Sequence, residues 1–323
     1  MSVSQSSREP GFYSESAPAL SVSTDIAVEK YANSSSADDG EDSYPRNLDE
    51  LKLYSIDDIP ERMKDNIFIR GHYRAFYTTG MCLRSFWKVH NETANIWTHF
   101  VSLLFFVGYC ADLFVHVLQP APADIVVFVA LSLGLVACLG CSTAFHLFNA
   151  HFSARTHKLM HKLDYFGITC LIVGSFIPMC YLVFQCDPLW RCVYFSMIGV
   201  MGAFGLIGPW FHFWTELRYH KFRMFVYAVL VGSGVFPIVH VNFLLPFRQT
   251  WPFVAGLALE ILLYMFGVII YALKVPERWF PGRFDILWHS HMVWHCFVSA
   301  AALTHFFTCI AMYIRWHDMA EQC

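Results

Sequence analysis

Five polar side chains stand out in this sequence for the chemistry their types and spacing allow. His291 and His295 are four residues apart, so on a helix they share one face. Ser142 and His146 repeat that spacing, and Asp164 follows a short connection later. Three neutral imidazoles that leave a fourth position open suit catalytic Zn2+. A carboxylate beside them can hold the metal's water and take its proton. Ser142 can hydrogen-bond that water or a developing oxyanion. The rival reading makes each histidine a buried packing residue, since HxxxH arises by chance in a chain with 16 His. His157 and His161 form a second such pair beside Arg155 and Lys158, and that pair reads as a solvated loop or headgroup contact.

The elements that must position these residues follow from composition. The chain has 323 residues, 56% hydrophobic and 17% aromatic, with only 15% charged. Mean hydropathy is +0.43. A soluble domain carries about 25% charged residues. This composition excludes an ordinary soluble enzyme and a disordered chain, and the net charge of −3 excludes a nucleic-acid binder. The 11 cysteines are scattered, mostly through apolar runs, and form no secreted disulfide framework. An all-α integral membrane protein remains. Seven apolar runs are long enough to cross a bilayer: 96–118, 124–148, 165–184, 191–212, 222–244, 251–273 and 288–314.

Charge sets the direction. Nineteen Lys and Arg fall on the side of the N-terminus and three on the other. The positive-inside rule therefore predicts a seven-helix bundle with a cytosolic N-terminus and an exoplasmic C-terminus. With alternating spans, His146, Asp164, His291 and His295 all lie at similar depth in the cytosolic leaflet, and with Ser142 they can line one cavity. Ionisable residues at such depth are functional candidates by default. His99, at the start of span 1, is a weaker rival ligand. His289 points to another helix face. His305 lies ten residues past His295, about 15 Å by helical rise, too far to share an ion.

The rest of the chain divides simply. Residues 1–45 hold twelve Ser and an excess of acids, and read as a disordered tail. Residues 46–95 are a basic juxtamembrane segment whose amphipathic pieces lie against the membrane face. Residues 96–314 are the seven-span domain, and 315–323 a short exoplasmic tail. The start of the chain has no signal-peptide pattern. The sequons at Asn33 and Asn91 fall on the cytosolic side in this topology. Glu260, mid-span 6, reads either as a relay group or as a bundle-facing Glu paired with Ser, Tyr or His. Cys138 and Cys141 read as packing rather than redox residues. Cys186 and Cys192 flank loop 3–4 and can pair, although two free thiols is the plainer reading. Gly199, Gly202, Gly205 and Gly208 suggest close helix approach in span 4. Pro178, Pro209 and Pro237 are expected kinks.

Five stretches together resemble the progestin and adipoQ receptor family, most closely its adiponectin-receptor-like class. They are HNETANIWTHF (90–100), CSTAFHLFNAHF (141–152), KLDYFGI (162–168), KVPERWFPGRFDI (274–286) and HSHMVWHCFVSAAALTHF (289–306). The resemblance runs from about residue 55 to the end. It implies Zn2+ on His146, His291 and His295, Asp164 beside the zinc water, and Ser142 one turn before the span-2 histidine. It also implies kinship with seven-span hydrolases such as alkaline ceramidases. The connection from His146 to Asp164 is a residue longer than in the animal adiponectin receptors, and the acidic tail has no counterpart.

The expectation is a multi-pass protein of the plasma membrane or an endomembrane such as Golgi or ER. It would act as a receptor whose zinc site hydrolyses a ceramide-like or fatty-acid-bearing lipid amide. The alternative is a non-enzymatic receptor or scaffold with structural zinc. An extracellular protein ligand and a homo-oligomer are both compatible with the sequence. Metal transport is weaker, because no acidic and His-lined path crosses the full thickness.

Overall fold

The structure is a computed structural model that describes residues 50–112 and 122–320. The expected disordered tail, Asn33 and the last residues of the C-terminal tail lie outside the described residues. Before the bundle come a two-stranded antiparallel sheet, β1 (Leu53–Tyr54) and β2 (Tyr73–Arg74), and the short helix α1 (Thr79–Ser85). The long helices are α2 (Thr93–Asp112), α3 (Pro122–Phe148), α4 (Ala154–Val183), α5 (Pro188–Ile207), α6 (His220–Gly232), α7 (Val235–Leu244), α8 (Phe247–Leu273) and α9 (Ser290–Ala320). Among the described residues, seven helical segments are long and apolar enough to cross a membrane, α6 and α7 together making the fifth.

Small residues set the closest packing. A Cβ on Gly134 would fall 2.6 Å from the Cys170 carbonyl, and one on Gly167 would fall 2.8 Å from that of Ala137. Only glycine lets α3 and α4 approach so closely, and this contact brings the end of α3 beside the start of α4. Of the span-4 glycines, Gly202 and Gly205 press on Val173 and Thr169 of α4, Gly208 on Trp214, while Gly199 meets nothing. Pro178 sits inside α4. Around Pro209 the α-helix ends and tightens into a 3-10 turn. The fifth span breaks at Ser233, four residues before Pro237, where the proline ring would clash with a continued helix. Cys138 is a free, buried packing residue.

Three expectations are corrected. First, α4 starts at Ala154 rather than 165, because Ser153 caps it by accepting from Thr156 N at 3.4 Å. Hydropathy discounts Arg155, Lys158 and Lys162, but helix propensity does not. His157 and His161 therefore lie on a helix. His157 is buried with Nδ1 3.0 Å from the Asn149 carbonyl, and His161 stacks on Phe145 at 4.8 Å. Second, the juxtamembrane segment is a folded cap with its own core of Ile56, Ile59, Met63, Ile69, Tyr73 and Ala75. Arg74 is buried, donating to Ser85 Oγ (2.6 Å) and the Leu147 carbonyl (3.1 Å). Exposed basic and apolar side chains that fit the expected surface piece include Lys52 and Leu53 and, at the end of α1 and after it, Leu83, Arg84, Trp87 and Lys88. Third, Cys186 is disulfide-bonded rather than a free thiol; Cys192 is free and exposed, so the two do not pair with each other, as the plainer reading had it.

Candidate metal centre

The last turn of α3 carries His146, and the first turns of α9 carry His291 and His295. Their ring centroids are 4.8–4.9 Å apart pairwise, at interplanar angles of 65–77°. Each ring offers one nitrogen, and the three nitrogens all lie within 4.8 Å of one another.

Each helix end is held in place from outside the bundle. The Arg74 guanidinium donates to the His146 carbonyl at 2.6 Å, fixing the end of α3. Glu277 caps α9: its carboxylate accepts from Ser290 N at 2.8 Å and from the Ser290 hydroxyl. The cap anchors Glu277 in turn through Asn66 Nδ2 at 2.9 Å. Asp285 accepts from the backbone N–H groups of Arg70 (2.9 Å) and Gly71 (2.7 Å), binding the loop before α9 to the same cap.

The far side of each ring is also specified. His146 Nδ1 faces Glu92 Oε2 at 2.7 Å, while its Nε2 is buried with no hydrogen-bond partner. Glu92 also accepts from Asn95 Nδ2 (2.7 Å) and Asn149 Nδ2 (3.0 Å). Burial alone would raise the Glu92 carboxyl, but His146, Asn95 and His291 together hold it well below the usual carboxylate range. His295 Nδ1 lies 3.1 Å from the Asn95 carbonyl and 3.2 Å from Thr98 Oγ1, so its Nε2 is also left for the centre. Metal-bound histidines characteristically have the second nitrogen held by a carboxylate or carbonyl in this way. Two imidazoles on one tetrahedral ion place their nitrogens about 3.3 Å apart for metal–nitrogen bonds near 2 Å. The trio fits a metal ion on three counts: convergent donors, an orphaned buried Nε2, and an outer layer that fixes the rings.

Ser142 is 3% exposed and stands beside Asp164, which is half-buried at the start of the apolar part of α4. Asp164 stands beside the trio rather than within it. His146 and His295 are each 2% exposed, whereas His291 is half-buried and faces Tyr271 edge-on at 5.3 Å. His291 is the least buried of the three.

The other candidates fall elsewhere. His305 lies deeper and pairs with Glu260, Nδ1 to Oε2 at 2.8 Å. His289 Nδ1 accepts from Met292 N. His99 lies flat on His295, centroids 3.7 Å apart and planes 8° from parallel. Asn91 is buried. The residues missed by sequence reading are Glu92, Asn95 and Thr98. Their signal was a carboxylate three residues before an asparagine at the mouth of span 1, at the same depth as His146.

Residues 87–306 match the model of the haemolysin-III-related family. The adiponectin receptor protein of Drosophila melanogaster is 34% identical over 263 residues, which is 79% of this chain and 58% of that protein. Heptahelical transmembrane protein 1 of Arabidopsis thaliana is 33% identical over 282 residues, covering 83% and 82% of the two chains. Progestin and adipoQ receptor-like protein 1 of Caenorhabditis elegans is 34% identical over 281 residues, covering 84% and 63%. The chain thus spans under two thirds of the length of several relatives.

Proposed function

Because the chain belongs to the haemolysin-III-related family, in its progestin and adipoQ receptor group, we propose that it is an adiponectin-receptor-like membrane protein whose His146, His291 and His295 hold Zn2+ and whose centre hydrolyses a lipid amide. The observation that carries this reading is the orphaned Nε2 of His146, fixed by Glu92 and aimed at two more imidazoles. Zn2+ bound there would polarise an acyl carbonyl and acidify a water molecule.

The chain's own residues supply the rest. Asp164, with Ser142 beside it, takes the proton of the attacking water and passes it to the leaving nitrogen. The side of His291, the least buried of the three ligands, is where water and the polar end of the substrate would enter. The charge count supports a metal-bearing end in the cytosolic leaflet.

The test uses detergent-purified, metal-loaded protein and a ceramide-like substrate. His295→Ala and Asp164→Ala are each expected to abolish hydrolysis. Equal turnover by wild type and both variants rejects the proposal. The deep burial of His146 and His295 favours a second reading, in which zinc only staples α3 to α9 inside a receptor. Activity that survives Asp164→Ala but disappears with His291→Ala establishes that one. A ligand on the exoplasmic side, protein or lipid, joins the two readings if it gates hydrolysis.

A further inference from the structure

The three most exposed tryptophans among the described residues are Trp87, Trp279 and Trp288, at 75%, 67% and 62%. All three lie at the end of the bundle that carries the histidine trio. Trp87 falls between α1 and α2, and the other two fall in the loop from α8 to α9. The starts of α2 and α9 are near one level, because His295 Nδ1 in the second turn of α9 lies 3.1 Å from the Asn95 carbonyl in the first turn of α2.

These rings sit on fixed backbone. The loop is clamped by Glu277 on Ser290, by Asp285 on the Arg70 and Gly71 amides, and by Gly282 N, which donates to the Phe68 carbonyl at 3.0 Å. Trp87 packs edge-on against Trp97 of α2, centroids 5.5 Å apart. Trp288 has a φ of +65°. That left-handed backbone crowds the Cβ of any L residue, whereas glycine adopts it freely. Its ring is exposed, so burial within the fold does not offset the strain. The use of the ring therefore lies outside the chain.

Charge and continuity indicate what lies there. Residues 79–89 contain no acid, and the two acids of 274–289, Glu277 and Asp285, are buried in the hydrogen bonds above. The exposed charges of these two segments are Arg84, Lys88, Arg278 and Arg283, all basic. The exposed acids Asp57, Asp58 and Glu61 belong to another part of the cap. Exposed apolar surface continues from the tryptophans down the spans, through Leu273 and Phe266 of α8 and Val101 and Leu104 of α2. Such a surface meets a bilayer at headgroup level, where tryptophan rings settle and basic side chains attract anionic lipids.

We propose that the loop from α8 to α9, through Trp279, Trp288, Arg278 and Arg283, joins Trp87 and Lys88 in binding the headgroups of anionic phospholipids of the bilayer that the protein spans. Trp288 precedes His291 by three residues, so a headgroup bound here holds the metal-bearing end of α9 at a fixed depth. The proposal is independent of what the centre hydrolyses.

The test is native mass spectrometry of the detergent-purified full chain with added phosphatidylserine or phosphatidylcholine of identical chains. Wild type is expected to bind phosphatidylserine more tightly. Arg278→Gln combined with Arg283→Gln should weaken phosphatidylserine binding about tenfold or more, at roughly fivefold for each basic residue near an anionic surface, and leave phosphatidylcholine binding unchanged. Arg248→Gln, exposed at the other end of the bundle, should alter neither. Equal affinity of wild type for the two lipids, or a preference that survives the double substitution, overturns the proposal. Equally tight binding of soluble glycerophosphoserine also overturns it, since the ligand is then a free phosphate ester rather than a bilayer lipid. Trp288→Gly separates recognition from folding. It is expected to weaken phosphatidylserine binding while the lipid-free protein unfolds at the same temperature or a higher one. A lower unfolding temperature shows that the ring serves the fold and counts against the proposal.

Discussion

Two carboxylate–imidazole pairs cross this bundle with nearly the same geometry. Glu92 meets His146 at 2.7 Å and Glu260 meets His305 at 2.8 Å, each through Nδ1. The difference is at the other nitrogen. His305 Nε2 lies 3.0 Å from the Ser175 carbonyl and 3.2 Å from Cys309 Sγ. A carbonyl only accepts, so that nitrogen carries hydrogen and the ring is closed on both sides. His146 Nε2 has no such partner and faces two imidazoles. The deep pair ties α4, α8 and α9 together, and the shallow pair presents a ligand. A carboxylate–histidine contact alone therefore does not mark a metal site; an unused second nitrogen does.

The comparison breaks most directly at the ligands. His146→Ala is expected to take bound metal from one ion per chain to near none, and His305→Ala to leave it unchanged. Elemental analysis of the purified variants measures both. Metal loss from His305→Ala would show that the two pairs are not separate devices. Asp164→Asn should keep the ion and lower lipid hydrolysis about 10²–10⁴-fold, the range of a lost general base. Unaltered turnover would remove Asp164 from the chemistry.

Which half of this contrast could be read from the sequence has a physical explanation. The HxxxH spacing and the shared depth of three span ends pointed to His291, His295, His146, Ser142 and Asp164, because helix periodicity and membrane alternation are local, regular constraints. Glu92 was not legible by the same means. Hydropathy drew the edge of span 1 at residue 96, whereas the helix begins at Thr93, so its carboxylate counted as part of the loop. The pairing of Glu260 with a His was one of the readings left open, and the partner proved to be the histidine judged too deep for the ion. The folded cap was invisible, since its contacts join Asn66 to Glu277 and Arg70 to Asp285 across more than 200 residues with no period to reveal them.

Removing the acid sharpens the contrast at intermediate size. Glu260→Ala leaves a buried imidazole without its partner, and breaking such a pair costs about 3–5 kcal/mol. Denaturation in detergent should show this loss with metal content intact. Glu92→Gln keeps the shape and loses the charge that fixes His146. Metal affinity is expected to fall about 10–100-fold, read by chelator competition, with little change in the apo-protein's stability. If Glu92→Gln instead destabilises the apo-protein as strongly as Glu260→Ala, the shallow pair is structural as well.

The smallest effect belongs to Cys309, and it tests what closes the deep pair. Its sulfur is 3.2 Å from His305 Nε2, but the Ser175 carbonyl is nearer at 3.0 Å and better suited to an N–H donor. Cys309 is fully buried beside Phe128 and Leu131 in the apolar core. If the carbonyl is the operative partner, Cys309→Ala costs only the packing of one sulfur, about 1–2 kcal/mol, and leaves metal content untouched. If the thiol is the operative partner, the cost approaches that of Glu260→Ala. A double-mutant cycle between Glu260→Ala and Cys309→Ala separates these: coupling below about 0.5 kcal/mol assigns the closure to the backbone of α4, and a larger value assigns it to the thiol.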